Sequence, residues 1–203
     1  MSKSIETKVH LLKLVDYHHP ILRKKTAKVH FPLSEEDKQI IQNMQYSIQT
    51  EQLKKANAPW DAAVGMAANQ WGIDKQIFLY HEEDTDNFRV VINPSYEPIG
   101  KSLIDKKEFS LGEEVCAWEA CFSVPLAFGN VKRYKKIKAY YQNELGESIT
   151  LELSDWPARV WQHETDHLQG FLYDDPVAEK CLHKKRFSSK EEALQFRGDL
   201  KAD

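Results

Sequence analysis

Residues Trp161–Gly170 read WQHETDHLQG. His163 and His167 lie four apart with Glu164 between them, the H-E-x-x-H pattern. On a helix this spacing puts both imidazoles on one face, one turn apart, where they can grip a divalent metal while the glutamate handles protons. The flanks support a helix: Ser154 or Asp155 can cap its start, Pro157 falls in the first turn, and Gly170 closes the end. A lone helix histidine is usually hydrogen-bonded to its neighbours. Two at ligand spacing with an acid between them favour a metal site. Two ligands do not complete one, and the third decides which enzyme class applies.

Three candidates arise. The metzincin pattern H-E-x-x-H-x-x-G-x-x-H is matched as far as Gly170, but Tyr173 stands where the third histidine belongs, and tyrosine is a poor zinc ligand. A thermolysin-like site would take a later glutamate, for which Glu179 is available just after Pro176. Upstream, EEVCAWEACFSVP places Cys121 in an extended segment. A thiolate there suits zinc or ferrous iron, and a strand can carry it to a helix face, although a free cysteine also serves as a small core hydrophobe.

The 203 residues are 41% hydrophobic and 29% charged, with a net charge of -3. This matches one globular domain over 1–203, without a basic field to draw it to nucleic acid or an anionic membrane. No apolar run is long enough for a signal peptide or a membrane span. Cys116, Cys121 and Cys181 do not form the paired framework of a small secreted domain, so the expected location is a reducing cytosol.

FPLSEEDKQIIQNMQYSIQTEQLKKANAPW predicts an amphipathic helix, with Ser34 as cap, Asp37 three residues on, Ile41, Met44 and Ile48 at helical spacing, and an end before Pro59. KQIFLYH and NFRVVINPSYEPI predict short strands. VKRYKKIKAYYQNELGESITLEL predicts a hairpin turning at Asn143–Gly146, its lysines forming a solvated strand face. Residues 176–203 read as a charged surface helix or tail.

These residues resemble the peptide deformylase family, whose three motifs occur in order between about Ile21 and Tyr173. G-x-G-x-A-A-x-Q is present as AVGMAANQ (Ala63–Gln70), E-G-C-L-S as EACFS (Glu119–Ser123), and Q-H-E-x-D-H-L as QHETDHL (Gln162–Leu168). ILRKKTAKV is similar to the family's N-terminal segment; WPARVWQHE and VKRY are similar to its organellar branch. Ala63 and Ala120 replace glycines, Phe122 replaces leucine, and PLAFGN lacks the arginine often found there, none occurring before Arg133. An added methyl group restricts backbone angles or crowds a peptide alongside.

The resemblance implies an α+β fold of mixed short antiparallel sheets around a central helix carrying H-E-x-x-H. It implies that Cys121, His163 and His167 bind one divalent metal, iron in the cell and zinc, nickel or cobalt as isolated. Such a metal lowers the pKa of bound water to roughly 7. Glu164 would serve as general acid and base, with Gln70 and the backbone N–H of Phe122 as oxyanion donors. Val64 and Gly65 would pair with the substrate as an added strand. Val160 would line the methionine pocket, with Trp156 and Arg159 as further candidates, while Glu119 and Asp166 would orient ligands or backbone. The implied activity removes the formyl group from N-formylmethionyl nascent peptides, in a monomer of the bacterial cytosol with transient ribosome contact. The rival readings are a peptide- or metal-binding paralogue without turnover and an H-E-x-x-H zinc endoprotease.

Overall fold

The computed structural model describes residues 9–82, 85–100, 102–104, 107–109, 112–175 and 181–200. The first helix, α1 (Glu35–Ser47), begins at a reciprocal cap: the Ser34 hydroxyl accepts from the Asp37 amide at 3.1 Å, and the Asp37 carboxylate accepts from the Ser34 amide at 3.2 Å. The single helix expected to run toward Pro59 is instead broken. Gln49 is extended, and α2 (Thr50–Lys55) follows. Ile48 and Leu53, five residues apart, would point about 140° apart on one continuous helix. The break lets both enter the same core, with Ile41 and Met44.

The strands are β1 (Gly65–Ala67), β2 (Ile77–Glu82), β3 (Asn87–Pro98), β4 (Ser102–Ile104), β5 (Lys107–Phe109), β6 (Glu114–Cys121), β7 (Val124–Tyr134), β8 (Lys136–Gln142), β9 (Ser148–Ser154) and β10 (Cys181–Arg186). They form a five-stranded sheet in the order β1-β2-β3-β8-β9, a three-stranded sheet β10-β7-β6 and the hairpin β4-β5, with every pairing antiparallel. The hairpin expected around Asn143–Gly146 is β8-β9. VKRY, however, ends β7 in the other sheet. Val131, Arg133, Ile137, Ala139 and Tyr141 are all buried at odd positions on either side of the partly exposed Lys135, so the same parity resumes after the junction and hides it.

Helix α3 (Asp155–Leu168) lies against the five-stranded sheet. Its fully buried Trp161 meets Phe78 and Tyr141 edge-on, with ring centroids at 5.0 and 5.6 Å, a favoured aromatic geometry. Gly170 at φ +82° ends the helix, with a backbone so close to Arg23 and Lys24 that a Cβ would meet them at 2.8 Å. The α+β architecture expected from the sequence is thus present, with the H-E-x-x-H helix packed against both larger sheets. Within the C-terminal segment, the expectation of a helix or tail omitted a strand. β10 adds a lysine-rich edge to β7, a composition common on edges, and helix α4 (Lys190–Asp199) follows, capped by Ser189. Among the described residues no helix is long and apolar enough to cross a membrane.

Candidate metal centre

Cys121 ends β6 where the register against β7 shifts, so that it sits opposite Val124 across a tight connection. Such an irregularity re-aims a side chain. The Trp60 indole donates to the Cys121 carbonyl at 3.0 Å, and the Ser123 amide donates to its sulfur at 3.3 Å. The sulfur lies 3.2 Å from His167 Nε2. One donor atom each from Cys121, His163 and His167 lies within 4.8 Å of the others. The extended segment and the helix face therefore meet at one point.

The helix side of this point is held by more residues than the motif reveals. Gln162 clasps β7 like a strand: its carbonyl accepts from the Tyr134 amide at 3.0 Å, and its amide donates to the Tyr134 carbonyl at 2.8 Å. Asn69 donates to the His167 carbonyl at 2.6 Å. Glu119, buried on β6, accepts from His163 Nδ1 at 2.9 Å, from Arg133 Nε and Nη2 at 2.7 and 2.9 Å, and from Arg159 Nη1 at 2.7 Å. Arg133 Nη1 also donates to Asp166 at 2.6 Å. Burial pushes the Glu119 carboxyl up, but Arg133 and the His163 hydrogen bond outweigh it and hold the group well below the usual carboxylate range. Asp166 thus meets Arg133.

His163 shows the same competition. Burial disfavours its charged form, yet the Cys121 sulfur and Glu119 raise its affinity for a proton well above the ordinary value. His167 is driven well below it by burial and by the charge of His163. A thiol sulfur and two imidazoles converging at one point form a donor set suited to a divalent cation.

Glu164 stands beside the donors. Its Oε2 is buried with no hydrogen-bond partner among the described residues. Burial, offset in part by His163, raises its carboxyl to about 7. Gly65 makes this position available: a Cβ there would come within 2.7 Å of Glu164 Oε1. A sulfur, two ring nitrogens and a buried acid with one unpartnered oxygen fit a cation that keeps an open coordination position.

Comparison with known proteins agrees. The polypeptide deformylase family profile matches residues 11–182. The chain belongs to the polypeptide deformylase family. It is 35% identical to peptide deformylase 2 of Rickettsia conorii over 189 residues, covering 87% of this chain and 81% of that protein. The Thermotoga maritima peptide deformylase structure is 32% identical, with a TM-score of 0.62, 80% of this chain and 95% of that chain covered. A Met-Ala-Ser-bound class I type b peptide deformylase from Acinetobacter baumannii is 25% identical, with a TM-score of 0.63, covering 82% of this chain and 98% of that one.

A cleft of about 610 Å³ opens beside Cys121, His163 and Glu164. Val64, Gly65, Gln70, Phe122, Trp156 and Val160, named from sequence, also line it. β1 is the edge strand of its sheet, leaving one side unpaired among the described residues. Gln70 is oriented: the Ala67 amide donates to its carbonyl at 2.8 Å, which turns its amide toward the Ser123 hydroxyl at 3.1 Å and the Cys121 sulfur at 3.7 Å. Arg159 lines the cleft through its stem, because its head binds Glu119 and the Val131 and Val115 carbonyls at 2.8 Å each. Ala120 stands in the cleft wall, and Ala63 packs on the core beside α1. Glu179, the rival third ligand, lies outside the described residues. Sequence reasoning missed Trp60, Asn69, Ser123 and the Arg133–Glu119 pairing, which no short motif links.

Proposed function

We infer that the chain is a peptide deformylase: a metal-dependent hydrolase that removes the formyl group from N-formylmethionyl nascent peptides and releases formate. The observation that carries the reading is the convergence of Cys121, His163 and His167 beside the buried Glu164 carboxylate, at the floor of a peptide-sized cleft. Cys121, His163 and His167 hold the cation, ferrous iron in the cell, and zinc, nickel or cobalt as isolated, consistent with a soft thiolate–imidazole set. When bound, the cation supplies Lewis-acid activation of water.

Glu164 takes the proton from the attacking water at its unpartnered oxygen and delivers it to the departing amine, a role worth about 10² to 10⁴ in rate. Gln70, with its carbonyl pinned by Ala67, presents N–H toward the formyl oxygen, together with the backbone amide of Phe122. Losing one such donor costs roughly 3 kcal/mol. Val64 and Gly65 pair with the peptide main chain along the open edge of β1, reading backbone rather than sequence, while Val160 and Trp156 flank the methionine side chain. Glu119, clamped by Arg133 and Arg159, fixes the orientation of His163.

The protein acts as a monomer in the cytosol, with transient ribosome contact. Formate release from formyl-Met-Ala-Ser, assayed anaerobically with ferrous iron or in air with nickel, tests the reading. Metal-dependent release that disappears in Glu164→Gln is expected. A metal-loaded protein that releases none would be a binding paralogue.

A further inference from the structure

The C-terminal helix reaches the reaction cleft. Arg197 and Leu200, from α4 and its C-terminal end, line the same cavity as Cys121 and Glu164. Both walls hold the helix in place. On one side Lys190 Nζ pairs with Asp61 at 2.8 Å. On the other Phe196 packs edge-on against Trp118 and Phe128, with centroids at 5.3 and 5.2 Å, and Ala193 is fully buried. The rotation and height of Arg197 are therefore set by packing at both ends of the helix rather than by a free tail.

Arg197 differs from the other arginines of the cavity. Arg159 and, behind it, Arg133 are spent on Glu119. Arg197 is half-buried, and its guanidinium has no hydrogen-bond or ion-pair partner among the described residues. Asp61, an acid that feels its charge, is occupied by Lys190. A cation without a partner on the wall of a substrate cleft is complementary to an anion on the substrate, and a guanidinium matches a carboxylate fork.

We propose that Arg197, carried over the cleft by α4 beside Leu200, is a specificity residue that favours formyl-methionyl peptides bearing a carboxylate one or two residues after the methionine. The carboxylate is either an acidic side chain or the free end of a short peptide. This rests on the deformylase reading of the site and adds a preference that main-chain pairing along β1 cannot supply. Trp156 and Val64, both exposed, remain on the rim to meet apolar substrate groups.

The test compares kcat/KM for formyl-Met-Ala-Xaa-amide and formyl-Met-Xaa-Ala-amide, with Xaa as Ser, Glu or Lys, and for formyl-Met-Ala-Ser as free acid against amide. Wild type, Arg197→Gln and Arg197→Glu are measured at low and high salt. In wild type, glutamate is favoured over lysine by about fivefold at one of the two positions, carried by KM and reduced by salt, as for a partly exposed ion pair. The ratio falls to near one in Arg197→Gln and inverts in Arg197→Glu. A preference confined to the free acid assigns the terminal carboxylate as the partner. Equal ratios in wild type and Arg197→Gln, or a wild type with neither a glutamate nor a free-acid preference, overturn the proposal. Absence of formate from every peptide would instead refute the deformylase reading. The Arg197 comparison then proceeds on binding of the unformylated Glu and Lys peptides, read by tryptophan fluorescence from Trp60, Trp118 and Trp156 in the cleft, and decides in the same way.

Discussion

Replacing Glu119 with glutamine removes one negative charge at nearly constant shape, and the structure assigns its consequences. Glu119 accepts four hydrogen bonds of 2.7–2.9 Å from Arg133, Arg159 and His163. Its side chain and that of Arg133 are only 4% and 2% exposed. Glutamine keeps one acceptor oxygen but no charge and turns an amide N–H toward the donors, leaving Arg133 with Asp166 as its anionic partner and Arg159 with backbone carbonyls. Breaking a buried pair from one side costs about 3–5 kcal/mol. The contact of Arg133 with the less buried Asp166 places the expected loss near the lower end, about 3 kcal/mol by urea unfolding. His163 also loses an anionic acceptor, which weakens metal affinity by about 10- to 100-fold. Because Glu119 titrates below its ordinary value of 4.5 when folded, its contribution is fully present above that value and fades as pH falls below it. The wild-type advantage over Glu119→Gln should therefore be full at pH 7 and shrink progressively below pH 4.5. Equal unfolding free energies at pH 7, together with unchanged metal affinity in competition with a chelator, would refute the clamp.

Gly65→Ala forces a Cβ to within 2.7 Å of Glu164 Oε1, so it should lower kcat by more than tenfold while metal content stays at one per chain, and destabilise by about 1–3 kcal/mol. For the metal-free protein, Glu164 titrates at about 7 when folded against 4.5 when unfolded, so its contribution to stability is complete below 4.5 and lost as pH rises through 7. Glu164→Gln removes that dependence, and chelated samples unfolded in urea at pH 5 and pH 8 should show the variant gaining on wild type by an amount on the order of 3 kcal/mol. The same substitution in the metal-loaded enzyme should cut kcat by about 10² to 10⁴. Ser34→Ala removes the α1 cap and should cost about 1 kcal/mol in thermal or urea unfolding with no change in kcat/KM.

The helix of the metal site was legible because its signals are local: Pro157 and Gly170 punctuate a run whose two histidines share a face, although Ser154 holds the N-cap position without a side-chain cap bond. The convergence of Cys121 upon it was legible only as a family resemblance. Residues 121 and 167 are far apart in sequence, and their meeting depends on a register shift in β6 and on Gln162 gripping β7. The junction at Lys135 stayed hidden because the same inward parity resumes at Ile137 after it, although an arginine at an inward position already signalled a buried partner. The break after Ile48 follows from where Leu53 must go, which is a tertiary demand. The placement of α4 on the cleft was out of reach, since Phe196 and Lys190 find Trp118 and Asp61 only once both sheets exist.

The most direct test of the metal centre is X-ray absorption at the metal edge of zinc- or iron-loaded protein, wild type beside Cys121→Ala. With zinc, wild type should show one sulfur at about 2.3 Å and two imidazole nitrogens at about 2.0–2.1 Å, the sulfur shell vanishing in the variant. A wild-type spectrum without sulfur, or one that Cys121→Ala leaves unchanged, would contradict the assignment of Cys121 beside His163 and His167.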